Sequence, residues 1–317
     1  MSYEMFNKAI EAAAINAERE KRLILGAHCN RDYEGEIKKA GESVTIHVVG
    51  GTKIYVLEKD GTYTANGTDY LGQTMSGNIA GSGKDIVQAG IPDPDADDVT
   101  DITINVKKIA IFNKLVGDYD QYLSHEKNLL GKIRTRIGSK IAETEDLEIA
   151  KTIIGFQQAK FDNTVFNPSS DKLVYTDSDS ANHKVNVLDF IDSGVQYFAE
   201  KEMWDDTIYV EGSPKFGRYV RRCLGREDTD NSAILKGRKV PVYNNCGVFQ
   251  TNAVTKVSAG HEYVIFRTED AVVFADPFTE VEPYRSSKGF ADCLRGFQLF
   301  DCGIAFPQEV RWAEVKY

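Results

Sequence analysis

The chain has 317 residues, and its 38 Lys and Arg against 48 Asp and Glu give a formal net charge of −10. At about 150 residues per domain this length predicts two domains or one elaborate one, and 42% hydrophobic with 10% aromatic residues predicts a packed core. The acidic balance excludes a protein that coats nucleic acid over its whole surface, and no apolar run approaches the about 20 residues that a membrane helix needs.

The cysteine pattern favours a reducing compartment. The count is odd and no CxxC pair occurs, which is typical of free thiols in a reducing cytoplasm rather than of a disulfide framework. The amino terminus carries Glu4 and Glu11 and has no unbroken apolar stretch, so we expect no signal peptide. The cysteines are Cys29, Cys223, Cys246, Cys293 and Cys302.

The amino-terminal region predicts a helix followed by a strand. Apolar residues recur at helical steps from Phe6 to Ile24, through Ile10, Ala13 and Ala17, and predict one apolar stripe. Gly26 is a plausible stop for this helix. After a polar stretch, the residues from Val44 to Val48 alternate in the manner of a strand.

Residues 60–98 are rich in small and polar residues and poor in large aliphatic ones. The strand pattern resumes at Ile102 and continues to Phe112. Two strand regions around so long a polar excursion predict an extended hairpin, because an unstructured loop of this length is unusual within a compact domain. We expect this arm to contact another chain.

The remainder predicts mixed helices and strands. The clearest helix spans residues 118–141, and further helices are expected over 146–158, over 185–199 and from Pro214. Strands are predicted at residues 207–210, 240–243, 262–267, 271–275, 291–301 and 303–306. The chain lacks the regular alternation of a doubly wound sheet, so an α+β class is expected.

Two charged segments have opposite sign. One is acidic and contains Asp93, Asp95, Asp97 and Asp98, and the other is basic and contains Lys215, Arg218, Arg221, Arg222 and Arg238. Because unlike charges across an interface set register and specificity, these segments are candidates for subunit contacts. The alternative is that both are solvated surfaces.

No motif predicts an enzyme. Cys246 and His261 are the one candidate nucleophile and base, but a separated Cys and His are a weak signal. The GSGKD segment departs from a phosphate-binding loop, and the acidic segment departs from a calcium loop at its sixth and twelfth positions. We therefore expect no catalytic site, no cofactor and no metal.

The order of several motifs carries a family resemblance. They are NRDYEGEIKKAGESV near the amino terminus, TIYVEGSP before a helix, LKGRKVPVYNNCGVF, and the closing VEPYRSSKGFADCLRGFQLFDCGIAFPQEV. Together with the hairpin arm and the long helix, this order resembles the major capsid proteins of tailed bacteriophages, which share the Hong Kong 97-like fold. The resemblance spans nearly the whole chain.

The resemblance implies an architecture and a function. Residues 1–43 would be an amino-terminal arm and 44–112 an extended loop. The spine helix and peripheral domain would occupy 113–179, the axial domain 180–280, and 281–317 would return to the peripheral domain. Copies would form hexamers and pentamers of an icosahedral shell around double-stranded DNA, as a virion capsid assembled in the host cytoplasm.

Partners follow from the same resemblance. A separate scaffolding protein is implied because no long coiled-coil extension precedes the first helix, and a portal and a decoration protein are further expected partners. The basic residues that we expect to face the interior and attract DNA weakly are Lys132, Arg134, Arg136 and Lys140. The alternatives are an encapsulin-like compartment holding a cargo enzyme, and an unrelated cysteine hydrolase that uses Cys246 and His261.

Overall fold

The structure is a computed structural model. It describes residues 8–32, 43–49, 54–57, 63–68, 74–79, 99–117, 129–162, 166–201, 203, 207–224, 239–243, 246–286 and 291–317. Across these ranges, no helix is both long enough and apolar enough to cross a bilayer.

Helix α1 (Lys8–Glu20) packs against the longest helix of the structure. Its buried face contains Ile15 and Arg19, which are four residues apart and therefore on one side of the helix. The predicted stripe is wrong at Ala13 and Ala17, whose side chains are exposed. Small alanines define a face weakly, so the large Ile15 determines which side is buried.

The predicted extended hairpin is present. Strand β1 (Ser43–Val49) pairs antiparallel with β5 (Val99–Asn105), from Ser43 opposite Asn105 to Val49 opposite Val99. Beyond this pair, β2 (Ile54–Leu57), β3 (Tyr63–Thr68) and β4 (Thr74–Ile79) form a three-stranded antiparallel sheet. The polar excursion therefore contains two strands that its composition did not predict.

Helix α2 (Leu129–Gly155) has 27 residues and is about 40 Å long at 1.5 Å per residue. The predicted end at residue 141 is wrong, because the helix continues through the segment predicted as a separate helix. Ala142, Glu145 and Asp146 are buried there, and their packing outweighs the polar appearance of the segment. Residues 118–128 of the predicted helix lie outside the described residues.

A three-stranded sheet covers these two helices. Strand β14 (Ala291–Ile304) lies between β13 (Val272–Arg285) and β6 (Lys108–Gly117), and all pairs are antiparallel. Its helix-facing side packs through Val281 and Leu294 onto Ile15, Ile137 and Ile141. At Gly138 of α2, an added Cβ would lie 2.7 Å from the Ile15 carbonyl oxygen, so glycine permits the close approach of α1.

A five-stranded sheet forms the second body of the structure. Its order is β10 (Lys239–Tyr243), β11 (Cys246–Gln250), β9 (Ile208–Gly212), β12 (Glu262–Arg267) and β15 (Val310–Val315). Helices α3 (Val187–Glu200) and α4 (Pro214–Leu224) pack on it through Phe190, Phe198 and Phe216. The sequence did not predict β11 or β15, and the predicted strand at 303–306 is partly the end of β14.

The described structure also contains smaller elements. A parallel pair joins β7 (Lys172–Val174) and β8 (Lys184–Asn186), and a short helix α5 (Ala253–Lys256) precedes β12. A second core under α2 includes Ile149, Ile153 and Trp312, so strand β15 connects the long helix with the five-stranded sheet.

Candidate functional site

Strand β6 presents an apolar strip to solvent. Ile109, Ile111 and Leu115 are 52%, 78% and 57% exposed, whereas Ala110 and Phe112 point to the helices and pack on the core. Alternation along a strand explains this division between the two sides. Exposed aliphatic side chains in a row are typical of an interaction surface.

The same strand is at a sheet edge. In the described part of the chain, β6 has β14 as its one hydrogen-bonded neighbour. An edge strand presents unpaired N–H and C=O groups that can add a strand from another chain. The apolar strip and this backbone edge together form what we call the β6 surface, defined by Ile109, Ile111 and Leu115.

Polar contacts organise the outward face of the sheet beside this strip. The Arg295 guanidinium donates to Glu282 Oε2 at 2.7 Å and lies 4.9 Å from the centre of the Tyr284 ring. The Tyr284 hydroxyl donates to Asn113 Oδ1 on β6 at 3.1 Å. An apolar strip with a charged border has the composition of a protein interface rather than of a substrate pocket.

A buried charge pair holds the segment that follows α1. Arg267 donates to both oxygens of Glu211, at 2.9 and 2.8 Å, and both side chains are fully buried. Arg267 also donates to the carbonyl oxygens of Leu25 and His28, at 2.6 and 2.7 Å. Burial opposes ionisation of Glu211, but Arg267 and His28 hold its pKa below the usual value.

His28 completes this cluster. Its Nδ1 lies 3.0 Å from Glu211 Oε1, and its ring stacks on Tyr209 with 4.3 Å between centroids. The neighbouring Cys29 is buried, and burial raises its pKa to about 12. The thiol is therefore protonated and contributes packing and weak hydrogen bonds rather than nucleophilic chemistry.

Three further carboxylates, two on α2 and one on β13, contact α1 and the segment that follows it. Asp146 accepts hydrogen bonds from the backbone N–H groups of Ile24, Leu25 and Gly26, at 3.1, 2.9 and 3.2 Å. Burial raises the pKa of Asp146 to about 7, although these hydrogen bonds act in the opposite direction. Arg19 forms ion pairs with both Glu145 and Asp276, whose pKa values burial raises.

The structure does not support the cysteine hydrolase. Cys246 is fully buried, and burial raises its pKa to about 12, so the reactive thiolate is absent near neutral pH. His261 is exposed and pairs with Glu314 at 2.7 Å. The strand register places Cys246 near the end of β12 at Arg267, whereas His261 precedes the other end of β12. At 3.3 Å per residue, Cys246 and His261 are about 20 Å apart along the strands.

The predicted subunit-contact residues are only partly described. Lys215, Arg218, Arg221 and Arg222 are on α4, where Lys215, Arg218 and Arg222 are exposed. The Lys215 ammonium lies 4.3 Å from the Tyr317 ring centre, and the Arg222 guanidinium 5.0 Å from that of Tyr175. The residues outside the described ranges are Asp93, Asp95, Asp97, Asp98 and Arg238.

The predicted interior-facing bases all lie on α2. Lys132, Arg136 and Lys140 are exposed and four residues apart, which places them along one stripe. Arg134 is half-buried. Because an α-helix turns about 100° per residue, Arg134 lies on the opposite side of the helix from that stripe. Lys140 is paired with Glu143 at 2.6 Å. Among the described residues, no group of three His, Cys, Asp or Glu side chains is placed to hold a metal.

No protein-family model matches this chain, and no curated protein matches it. Solved structures do match it over most of its length. A chain of Mycobacterium phage Che8 is 16% identical with a TM-score of 0.60, and the match covers 92% of this chain and 90% of that one.

Two solved structures of phage capsids also match this chain. The capsid structure of cyanophage P-SCSP1u is 14% identical with a TM-score of 0.55, covering 88% of this chain and 84% of that one. The mature capsid of bacteriophage PhiM1 is 12% identical with a TM-score of 0.53, covering 90% and 87%. This chain has the Hong Kong 97-like capsid-protein fold. The predicted fold, with its long helix and hairpin, is confirmed.

The β6 surface was not predicted as a site. Its signal is present in the sequence, because residues 109–112 and 115–116 are apolar on both faces of a strand. Such a strand is usually covered on both sides. Here the helices cover one side, and Ile109, Ile111 and Leu115 on the other side are left exposed.

Proposed function

We propose that this chain is a major capsid protein that self-assembles into the hexamers and pentamers of an icosahedral phage head enclosing double-stranded DNA. The observation that carries the proposal is an end-to-end match to capsid-protein folds combined with the exposed β6 surface. A shell subunit has to present surfaces that another copy covers, and closed symmetry multiplies such contacts even when each is weak.

The extended hairpin supplies a second reason for this proposal. β1 and β5 pair with each other, and an isolated two-stranded ribbon is only marginally stable in water. Contact with a neighbouring copy would stabilise it. In this proposal residues 1–43 form an amino-terminal arm, 44–112 the extended loop, 113–179 with 281–317 the peripheral domain, and 180–280 the axial domain.

The proposed role is structural and not enzymatic. The buried Cys246 and its separation from His261 remove the one catalytic pair that the sequence suggested. The proposed partners are further copies of the chain, a separate scaffolding protein, a portal and a decoration protein. Assembly would take place in the cytoplasm of a bacterial host, and the mature location would be the virion capsid.

The charged segments have separate proposed roles. Contacts between subunits would pair the acidic residues Asp93, Asp95, Asp97 and Asp98 with the basic face of α4. The stripe of Lys132, Arg136 and Lys140, together with Arg134, would face the interior and attract DNA weakly. A strongly basic interior would hinder DNA packaging, so a mild attraction within an acidic subunit suits a container.

Deletion of residues 71–85 tests the proposal. These residues belong to the proposed extended loop, so their loss should abolish fast-sedimenting particles on a sucrose gradient. The circular dichroism spectrum of the subunit should stay close to that of the wild type. Wild-type particles, produced together with the neighbouring genes, would then be opened to identify their contents. Nuclease-protected DNA would indicate a phage head, and an enclosed protein would indicate an encapsulin-like compartment. Unchanged sedimentation after the deletion would contradict the proposal.

A further inference from the structure

A tyrosine-lined cleft of about 450 Å³ opens between the β7–β8 pair, α4 and the carboxyl terminus. We call it the tyrosine cleft, defined by Tyr175, Tyr219 and Tyr317. The Tyr219 ring lies 5.3 Å from that of Tyr175 and 4.9 Å from that of Tyr317. All three side chains are partly exposed, so the cleft offers aromatic surface to a ligand.

Positive charges surround these rings. Lys215 and Arg222 lie over Tyr317 and Tyr175, and exposed Lys172 and Lys184 line the same cleft. Lys172 and Lys184 are register partners on the two parallel strands. Like charges on paired positions repel each other, and an anionic ligand between them would relieve that repulsion.

The carboxylates near the cleft already have partners. Asp171 lies 3.2 Å from His183 Nδ1, and Glu262 accepts a hydrogen bond from the Ser213 hydroxyl at 2.6 Å. Tyr317 lies 3.4 Å from the same hydroxyl. Both carboxylates therefore already accept hydrogen bonds from groups other than the lysines and arginine that surround the aromatic rings.

Aromatic rings with a cationic rim suit a segment that alternates proline and acid. Proline-rich segments dock in aromatic-lined grooves, and carboxylates pair with lysine and arginine. Residues 91–98 read IPDPDADD, with two prolines, four aspartates and no base. We propose that the tyrosine cleft binds residues 91–98 of a second copy of the chain. This inference rests on the proposed self-assembly.

The hairpin geometry favours a second copy over the same chain. Val99, the residue that follows this segment, pairs with Val49 at one end of the β1–β5 ribbon, whereas Asn105 pairs with Ser43 at the other end. β6 of the body begins three residues after Asn105. Strand β5 has seven residues, so Val99 lies about 20 Å from Asn105, the end at which the ribbon joins the body.

Disulfide trapping between two differently tagged chains tests this contact. One chain carries Asp95→Cys and the other Lys184→Cys, and both are produced together with whatever partners wild-type assembly requires. All five native cysteines are buried, so background crosslinking is low. We expect oxidised particles to contain a dimer with both tags, several-fold more abundant than with exposed Lys201→Cys as the matched control.

Charge reversal provides an independent measurement. The double substitution Lys172→Glu and Lys184→Glu should reduce particle yield several-fold, and adding Asp93→Lys with Asp95→Lys should restore it. The inference is overturned if wild-type particles form but the Lys184→Cys dimer does not exceed the Lys201→Cys control. Absence of wild-type particles would instead overturn the proposed function itself, and the inference with it.

Discussion

Arg267 and Glu211 form a bidentate ion pair in which neither side chain has any solvent exposure. The pair joins β12 to β9. The Arg267 guanidinium also donates hydrogen bonds to the carbonyl oxygens of Leu25 and His28. One guanidinium therefore links the centre of the five-stranded sheet to the amino-terminal segment. The position of that segment depends on an interaction that is buried inside a single subunit.

Removal of one partner of this pair should destabilise the subunit strongly. Arg267→Met leaves Glu211 buried without its counter-charge, so we expect a loss of about 3–5 kcal/mol in the free energy of unfolding. Chemical denaturation of the unassembled subunit measures this loss. Lys151→Met, which breaks the exposed Lys151–Glu148 pair, is the control and should cost less than about 1 kcal/mol. Equal losses would contradict the assigned role of Arg267.

Asp146 should make stability depend on pH between about 4 and 7. Its pKa rises from 3.8 to about 7 on folding, so the folded state binds the extra proton in this window. Below pH 4 this proton binding therefore contributes fully to the free energy of unfolding. The contribution is lost as the pH rises to about 7, by up to about 1.4 kcal/mol per pH unit.

The Asp146→Asn variant isolates this effect, because an amide retains an acceptor for the backbone N–H groups. The difference in unfolding free energy between wild type and Asp146→Asn should fall across the window, with the wild type losing stability as pH rises. A flat profile for Asp146→Asn would show that Asp146 titrates as an exposed carboxyl does.

A charge on the β6 surface should block assembly without unfolding the subunit. Ile111 is 78% exposed, so Ile111→Arg should change the free energy of unfolding by no more than about 0.5 kcal/mol. The same charge buried against a neighbour would have no partner. Sedimentation should show subunits in place of particles, whereas exposed Glu269→Arg should assemble normally. Particles of normal yield from Ile111→Arg would exclude the β6 surface as an interface.

The basic residues of α2 should contribute a salt-dependent attraction to DNA. We expect replacement of Lys132, Arg134, Arg136 and Lys140 by Gln to weaken duplex binding to purified capsomers and to reduce its dependence on salt concentration, because fewer counterions are released. Exposed Lys151, Lys160 and Lys201 changed to Gln form the control set. If the two sets give the same salt dependence, these four residues have no special role in DNA contact.

Local sequence patterns predicted where helices and strands occur better than they predicted which elements contact each other. Residues 262–267 were predicted as a strand and form β12, and Pro214 begins α4 as predicted. Strand β11 was missed although β10, which pairs antiparallel with it, ends three residues before it begins. Its local sequence, CGVFQ after two asparagines, is typical of a turn.

The buried charges show why the site itself was harder to predict. Arg19 and Glu145 have the composition of exposed helix residues, yet each is at most 4% exposed because they meet between α1 and α2. That contact depends on Gly138, which no periodicity identifies. Conversely, Ile109, Ile111 and Leu115 have the composition of a core but are exposed. Burial is set by tertiary contacts, and under the proposed self-assembly some of these contacts would come from another copy.

Particle size of the full-length chain tests self-assembly most directly. The chain would be expressed with and without its neighbouring genes, and light scattering and negative-stain electron microscopy would then measure the mass and shape of the product. The account predicts closed shells or capsomer rings of five and six subunits in at least one condition. A strictly monomeric 35.3 kDa protein in both conditions would contradict it.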